Sequence, residues 1–264
     1  MSRPKLVATD LDGTLLDADG NVSDGTRAVL RELDAQGVPV VFVTGRPIRW
    51  MESLWSEVGG HGLAVCSNGG IVYDVDAQQV RSAATVSREV AMVVADLLRS
   101  EIPGTHFALE KTTGFARETG FATRFPDIPD IPTGSFEAIY DDAVVKVLAL
   151  HTELAPEDYW RRGQALLEGM VEVTWSSSFP LLEMSAPGVT KASTLAELCA
   201  ELAIDAADVV AFGDMPNDVE MLEWAGQSYA MAGGHAVARA AAREIAPAHT
   251  EDGVAQVLRR LFDL

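Results

Sequence analysis

Cysteine is almost absent from this 264-residue chain: Cys66 and Cys199 are the only two, far apart and in no CxxC pair. That excludes a disulfide framework and a thiolate zinc cluster, and leaves two reduced thiols filling core space. Histidine is nearly as sparse, and the five present (His61, His106, His151, His235, His249) show no ligand spacing, so surface or loop roles are expected. Basic residues are short as well, 20 against 39 acidic, for a net charge of −19. A field of that sign repels nucleic acid and anionic membrane, and admits a small anionic substrate only where a local cation offsets it. No run approaches the ~18 apolar residues of a membrane span, and Met1-Ser2-Arg3-Pro4 carries no apolar signal segment. A soluble, cytoplasmic protein is expected.

What the chain has is a core. Hydrophobic residues make up 48%, enough to bury one, and the length exceeds a typical domain of roughly 100 to 200 residues, which predicts a core domain carrying a second, smaller unit. Three strand-to-helix units open it. Leu6 to Thr9 is a short apolar strand ending in Asp10-Leu11-Asp12-Gly13-Thr14, followed by a helix capped at Ser23 or Asp24 and stopped by Gly37. VPVVFVTGR reads as a strand buried on both faces, tipped by Thr44-Gly45-Arg46, and Pro47 opens a second helix through Trp50, Met51, Leu54 and Trp55. LAVCSNGG, residues 63 to 70, repeats the design. The pattern predicts an α/β, doubly wound, mostly parallel sheet, with ligands beyond the carboxyl ends of the strands.

From 82 to 184 the texture changes to short alternating segments (HFALEK, GFARE, VVKVLAL, VEVTWSSS), two helices (Ser87 to Ser100 and around Asp158 to Glu168) and a loop holding Pro126, Pro129 and Pro132. This reads as an α+β unit inserted into a core formed by 1–81 and 185–264. The core pattern returns with a helix from Val189 to Ala203, VVAFGDMPND as strand and tip, a helix at Val219 to Trp224, SYAMAGG as strand and turn, and helices at Ala236 to Arg243 and Val254 to Phe262. No internal repeat is present.

Two aspartates at a strand end could simply cap a turn. Yet D-x-D-G-T and G-D-x-x-N-D each arise by chance in only about one chain in a few hundred, and both occur here directly after an apolar run. An open parallel sheet puts Asp10, Asp12, Thr44, Asp214 and Asp218 on one edge, where four carboxylates repel one another unless a cation neutralises them. Oxygen-only ligands favour a hard ion, and Mg²⁺ fits best. Such a site suits phosphoryl transfer: Asp10 as nucleophile forming an aspartyl-phosphate, and Asp12, swung back by the turn at Gly13, as general acid and base. Thr44, through its hydroxyl, and the amide of Gly45 would hold phosphate oxygens, and Lys191 at a helix start would add the missing positive charge. Arg46 has two readings, contact with phosphate or with a carboxylate of the inserted unit; Asn68 either faces the substrate or only stabilises the turn at Gly69-Gly70. Trp50 and Trp55 read as core or domain-contact residues.

In this order DLDGTLLD, the apolar run into TGR, the GVTK helix start and GDMPND resemble the four motifs of the haloacid dehalogenase superfamily. SNGG, the roughly 100-residue insertion between the second and third motifs, PGVTKASTL and AFGDMPNDVEML are similar to its Cof-like branch, which includes sucrose-phosphate phosphatase and phosphomannomutase. The resemblance spans the whole chain, with the inserted cap sharing little beyond length and texture. It implies that Asp10 is nucleophile and Mg²⁺ ligand, and that Asp12 is acid and base and gives its backbone carbonyl to the metal. Thr44 and Lys191 would hold phosphate, and Asp214 and Asp218 would support the metal with Asn217 beside them. Gly13, Gly45, Arg46, Asn68 and Asn217 complete the candidate phosphate and substrate contacts. Two departures stand out: Ala192 follows Lys191 where glycine is usual, and Ala232-Gly233-Gly234 replaces a glycine-asparagine pair. The function expected is a Mg²⁺-dependent phosphatase of a small phosphorylated metabolite such as a sugar phosphate, with the cap closing over the site. The alternatives are a phosphomutase of the phosphomannomutase type and a non-catalytic binder of phosphorylated ligands.

Overall fold

The computed structural model describes residues 3–57, 62–122 and 130–264. His61 and the loop prolines Pro126 and Pro129 lie outside the described residues. The chain divides into two compact units, Met1–Ser82 with Thr190–Leu264, and Ala83–Val189. The first begins with β1 (Leu6–Thr9), α1 (Asp24–Ala35), β2 (Val40–Val43), β3 (Leu63–Cys66), β4 (Ile71–Asp74) and β5 (Gln79–Ala83). The second holds α2 (Arg88–Glu101), β6 (His106–Lys111), β7 (Gly114–Glu118), β8 (Thr133–Gly134), α3 (Phe136–Ile139), β9 (Val144–Leu150), α4 (Pro156–Leu166), β10 (Glu172–Thr174) and β11 (Leu181–Ser185). The chain then returns with α5 (Lys191–Glu201), β12 (Val209–Gly213), α6 (Val219–Trp224), β13 (Gln227–Met231), α7 (Ala236–Ala241), β14 (Glu244–Ala246) and α8 (Gly253–Phe262).

The first unit is built on an eight-stranded sheet in the order β14-β13-β12-β1-β2-β3-β4-β5. The six strands from β14 to β3 pair in parallel, and β4 returns antiparallel to β3. This is the expected α/β, mostly parallel sheet. β1 lies at its middle, flanked by parallel partners on both edges, and all four of its residues are buried. α1 follows from local chemistry: the Ser23 hydroxyl accepts from the Thr26 amide at 3.0 Å, Val29, Leu30 and Leu33 form its buried stripe, and Gly37 adopts φ +70° just past its end. Leu6, Ala8, Val41, Val43, Val65, Leu195, Leu198, Val209, Ala211 and Met221 share one core cluster beneath the sheet.

The second helix expected from Pro47 to Trp55 is instead two 3₁₀ turns, Ile48–Trp50 and Glu52–Glu57. Met51 and Leu54, both buried, are three apart, the period of a 3₁₀ turn, while Trp50 and Trp55 stay half-buried. Trp55 stacks on Tyr73 with centroids 4.8 Å apart, and the Arg49 guanidinium lies over Trp50.

In the second unit six strands run in the order β10-β11-β9-β6-β7-β8, antiparallel except for the short β7–β8 pair. One face packs Phe107, Leu109, Val147, Ala149, Leu182 and Met184 against α2 and α4 through Val94, Leu98 and Tyr159. The other carries Ala108, Leu148, Leu150 and Phe121, with a buried ion pair between Lys146 and Glu183 at 2.7 Å. VEVTWSSS supplies only a three-residue strand, and the strand that pairs with it, β11, comes from Leu181–Ser185, so the second unit continues past 184 to Val189. Cys66 and Cys199 are buried and form no disulfide. Among the described residues no helix is long and apolar enough to cross a membrane.

Candidate functional site

The sheet order decides where the chemistry collects. The chain leaves β1 towards β2 on one side, while β12 pairs with β1 on the other, so the carboxyl end of β1 is the point where the winding direction changes. The Asp10 amide donates to Phe212 O at 3.0 Å, which extends the β1–β12 ladder by one residue and sets Asp10 beside the start of the GDMPND tip. Two segments some 200 residues apart in sequence thereby share one edge.

Asp10, Asp214 and Asp218 each place a carboxylate oxygen within 4.8 Å of the others, the one such group among the described residues. Asp218 is fully buried, and the spacing of its motif explains why: its Oδ2 reaches back to accept from the amides of Asp214 (2.9 Å) and Met215 (3.0 Å), closing the turn Pro216–Asp218 around its own side chain. Lys191 enters from α5. Thr190 caps that helix, its hydroxyl accepting from the Ser193 amide while its own amide donates to the Ser193 hydroxyl, so Lys191 is the first helical residue and points along the axis into the cluster. Its ammonium, 1% exposed, donates to Asp10 Oδ1 and to Asp218 Oδ1, both at 2.6 Å. Thr14, which the sequence reading passed over, donates to Asp214 Oδ1 at 3.0 Å; the signal was its fixed place in D-x-D-G-T, in a stretch otherwise apolar after Gly13.

Three carboxylates face one ammonium. Burial, only partly offset by Lys191 and reinforced by Asp218 and Asp214, holds the Asp10 carboxyl well above its ordinary range. Burial and the neighbouring Asp218 push Asp214 up to about 7. Burial alone would lower the Lys191 ammonium, but Asp10 and Asp218 outweigh it and raise it. Asp10 Oδ2 and Asp214 Oδ2 have no hydrogen-bond donor among the described residues. An all-oxygen set that is short of positive charge, with two oxygens open, fits a hard divalent cation.

Beside the carboxylates lie the tips of β2 and β3. Thr44 is buried, its hydroxyl accepting from the Arg46 amide at 3.1 Å and its carbonyl from the Asn68 amide at 3.0 Å. Ser67, Asn68 and Gly69 all take positive φ (+54°, +58°, +104°), a strained tip of the kind that clusters at binding sites. Ser67 Oγ and Asn217 Oδ1 are buried without a partner, and Asn217 Nδ2 donates to Asn68 Oδ1 at 3.0 Å, tying the third tip to the fourth. Gly45 lies between Thr44 and Arg46 on the second tip.

Arg46 has a partner at the site that neither of its two sequence readings named. Its guanidinium grips the carboxylate of Asp12, Nε to Oδ2 at 2.7 Å and Nη2 to Oδ1 at 2.5 Å. The Asp12 carboxylate is accordingly outside the three-aspartate cluster, with its side chain 60% exposed. Gly13, at φ +77°, turns the chain between them, and a Cβ there would stand 2.5 Å from Asp214 Oδ2. The Ala232-Gly233-Gly234 segment packs on the same tip: a Cβ on Gly234 would stand 2.8 Å from Asp214 O, which accepts from the His235 amide at 2.7 Å. The His151 ring accepts from the amides of Glu153 and Leu154 to close a loop of the second unit.

The family model of haloacid dehalogenase-like hydrolases matches residues 7–258. The chain is 28% identical over 255 residues to 5-amino-6-(5-phospho-D-ribitylamino)uracil phosphatase of Bacillus subtilis strain 168, covering 97% of this chain and 94% of that one. It is 29% identical over 258 residues to phosphoglycolate phosphatase of Methanothermobacter thermautotrophicus, covering 98% and 99%. A crystal structure from Streptococcus mutans UA159 superposes with a TM-score of 0.87 at 22% identity over 99% of this chain and 100% of that one. The chain belongs to the haloacid dehalogenase-like hydrolase family, on its Cof-like branch.

Proposed function

We propose that the protein is a Mg²⁺-dependent phosphatase of a small phosphorylated metabolite, a sugar phosphate or a compound like it, working through an aspartyl-phosphate. The observation that carries this reading is the meeting of Asp10 with Lys191, Asp214 and Asp218: a buried carboxylate held by a fixed ammonium, with a charge deficit that a divalent cation would fill. The names of the two relatives above, each a phosphatase of a small phosphorylated molecule, support it.

Asp10, Asp214 and Asp218, with the backbone carbonyl of Asp12, would hold Mg²⁺, which when bound offsets the repulsion between carboxylate and phosphate and shields charge on the transferring group. Asp10 supplies a carboxylate oxygen to phosphorus; the bond to the leaving oxygen breaks, and that oxygen takes its proton from Asp12. Asp12, now a carboxylate, removes a proton from water as the water oxygen attacks phosphorus. The Asp10–phosphorus bond then breaks, which restores the Asp10 carboxylate and the protonated Asp12 and releases inorganic phosphate. Lys191 would keep Asp10 oriented and offset phosphate charge, while the Thr44 hydroxyl and the Gly45 amide would bind phosphate oxygens. Asn217 positions Asn68. We assign substrate choice to residues of the second unit, which supplies none of the candidate catalytic residues.

The test is initial-rate hydrolysis of p-nitrophenyl phosphate and of a panel of phosphorylated sugars, nucleotides and cofactors, with and without Mg²⁺. Asp10→Asn is expected to lower turnover by at least ~10³-fold. Near wild-type hydrolysis by this variant would overturn the assignment of the nucleophile.

A further inference from the structure

We propose that Arg46 is a positioning residue for Asp12, holding the general acid in register with the leaving oxygen rather than binding phosphate itself. This rests on the phosphatase reading above. Asp12 needs such a partner. It lies just past the end of β1, before a glycine in the left-handed region, and its side chain is 60% exposed, so on its own it would exchange among rotamers. Proton transfer to a leaving oxygen needs one oxygen held within hydrogen-bond reach at the moment the bond breaks, and an acid that wanders contributes little.

Arg46 is built to supply that constraint. Its backbone is fixed at both ends, the amide donating to Thr44 Oγ1 at 3.1 Å and the carbonyl accepting from the Ser67 amide at 3.0 Å. The guanidinium side chain is 19% exposed, and the loop at Gly20 closes so near that a Cβ there would stand 4.0 Å from Nη2. From this base two parallel N–H groups meet the two oxygens of Asp12. A planar fork fixes both the position and the plane of a carboxylate, which a lysine, bonding at one point, cannot do. When Asp12 carries its proton on one oxygen, the other remains on the guanidinium, so the side chain stays tethered while the proton is delivered. The same edge of the guanidinium cannot hold a phosphate meanwhile, and the buried cation beside the nucleophile is Lys191.

The leaving group separates these roles. p-Nitrophenolate departs without a proton, whereas an alkoxide does not, and kcat/KM reports only the steps up to that departure. Arg46→Gln and Arg46→Lys, checked for folding by circular dichroism and thermal midpoint, are compared with wild type on p-nitrophenyl phosphate and on glucose 6-phosphate, ribose 5-phosphate or glycerol 3-phosphate, whichever is turned over fastest. Expected for Arg46→Gln is a loss of ~30- to 100-fold in kcat/KM on the alkyl phosphate and under ~3-fold on p-nitrophenyl phosphate. Arg46→Lys falls between, and Arg46→Gln adds less than ~2-fold to the loss already caused by Asp12→Asn. Losses that agree within about threefold on the two substrates, or that multiply with Asp12→Asn, overturn the proposal and make Arg46 a phosphate ligand or a structural residue. Should one variant fail to fold, the other supplies the same comparison. Wild-type protein that hydrolyses none of these esters refutes the phosphatase reading and this role with it, an outcome distinct from equal losses in an active enzyme.

Discussion

Replacing Lys191 with methionine keeps the length and most of the volume of a fully buried side chain and removes one charge. In the folded protein that charge touches Asp10 and Asp218 at 2.6 Å each, and both carboxylates are almost without solvent. Breaking a buried pair by deleting one partner costs about 3 to 5 kcal/mol, because the remaining charge is stranded. At about 2 to 4 °C per kcal/mol for a chain of this size, the metal-free variant should melt roughly 6 to 20 °C below wild type at pH 7.5 in EDTA. The deficit should depend on pH in a set direction. Asp10 and Asp214 have folded-state pKa values raised above their unfolded ones, so each contributes stability that is fully present below the unfolded value and is lost as pH rises through the folded one. Removing Lys191 raises them further, so the variant should lie closest to wild type near pH 5 and fall away towards pH 8. Added Mg²⁺ should recover more stability in the variant than in wild type, since it replaces the missing charge. A melting point within about 2 °C of wild type in EDTA, or a deficit that does not change between pH 5 and 8, would refute the claim that this ammonium holds the carboxylates together.

Three further outcomes follow from the same contacts. Stabilisation of the wild-type protein by Mg²⁺, read as a thermal shift, should grow from pH 5.5 to pH 8, because protons on Asp10 and Asp214, the latter held at about 7, compete with the cation at the lower pH. Gly13→Ala should cost about 1 to 2 kcal/mol for its left-handed backbone and lower hydrolysis more than ~10-fold, since the new methyl group must displace Asp214 Oδ2; chemical denaturation and p-nitrophenyl phosphate assays measure the two. In the second unit, Lys146→Met should destabilise by about 3 kcal/mol and the double change Lys146→Met with Glu183→Leu should recover most of that, as measured by urea unfolding.

Much of this molecule was legible in one sequence because its signals are local. β1, β2, β3 and β12 are short apolar runs with no polar interruption, and each expected strand tip stands at the end of its strand. Ser23 and Ser87 marked helix starts through the side-chain oxygens they offer to amides three residues on. The 3₁₀ turns after Pro47 were misread because Trp50, Met51, Leu54 and Trp55 also satisfy a helical period. β11 was missed because Leu181 to Ser185 is a strand only by virtue of pairing with β9 and β10, which no local pattern records.

At the site the division is the same. The sequence by itself determined which residue types could do the chemistry: carboxylates at two strand ends, a glycine to turn the chain, a lysine at a helix start. It could not decide which charges meet. That Lys191 is buried between Asp10 and Asp218, that Asp218 spends its second oxygen on its own turn, and that Arg46 is committed to Asp12 are consequences of strand order and side-chain direction across tens to hundreds of residues. Burial then sets the electrostatics, because the free energy of a charge depends on the solvent and partners left to it after folding, and only the tertiary structure fixes those.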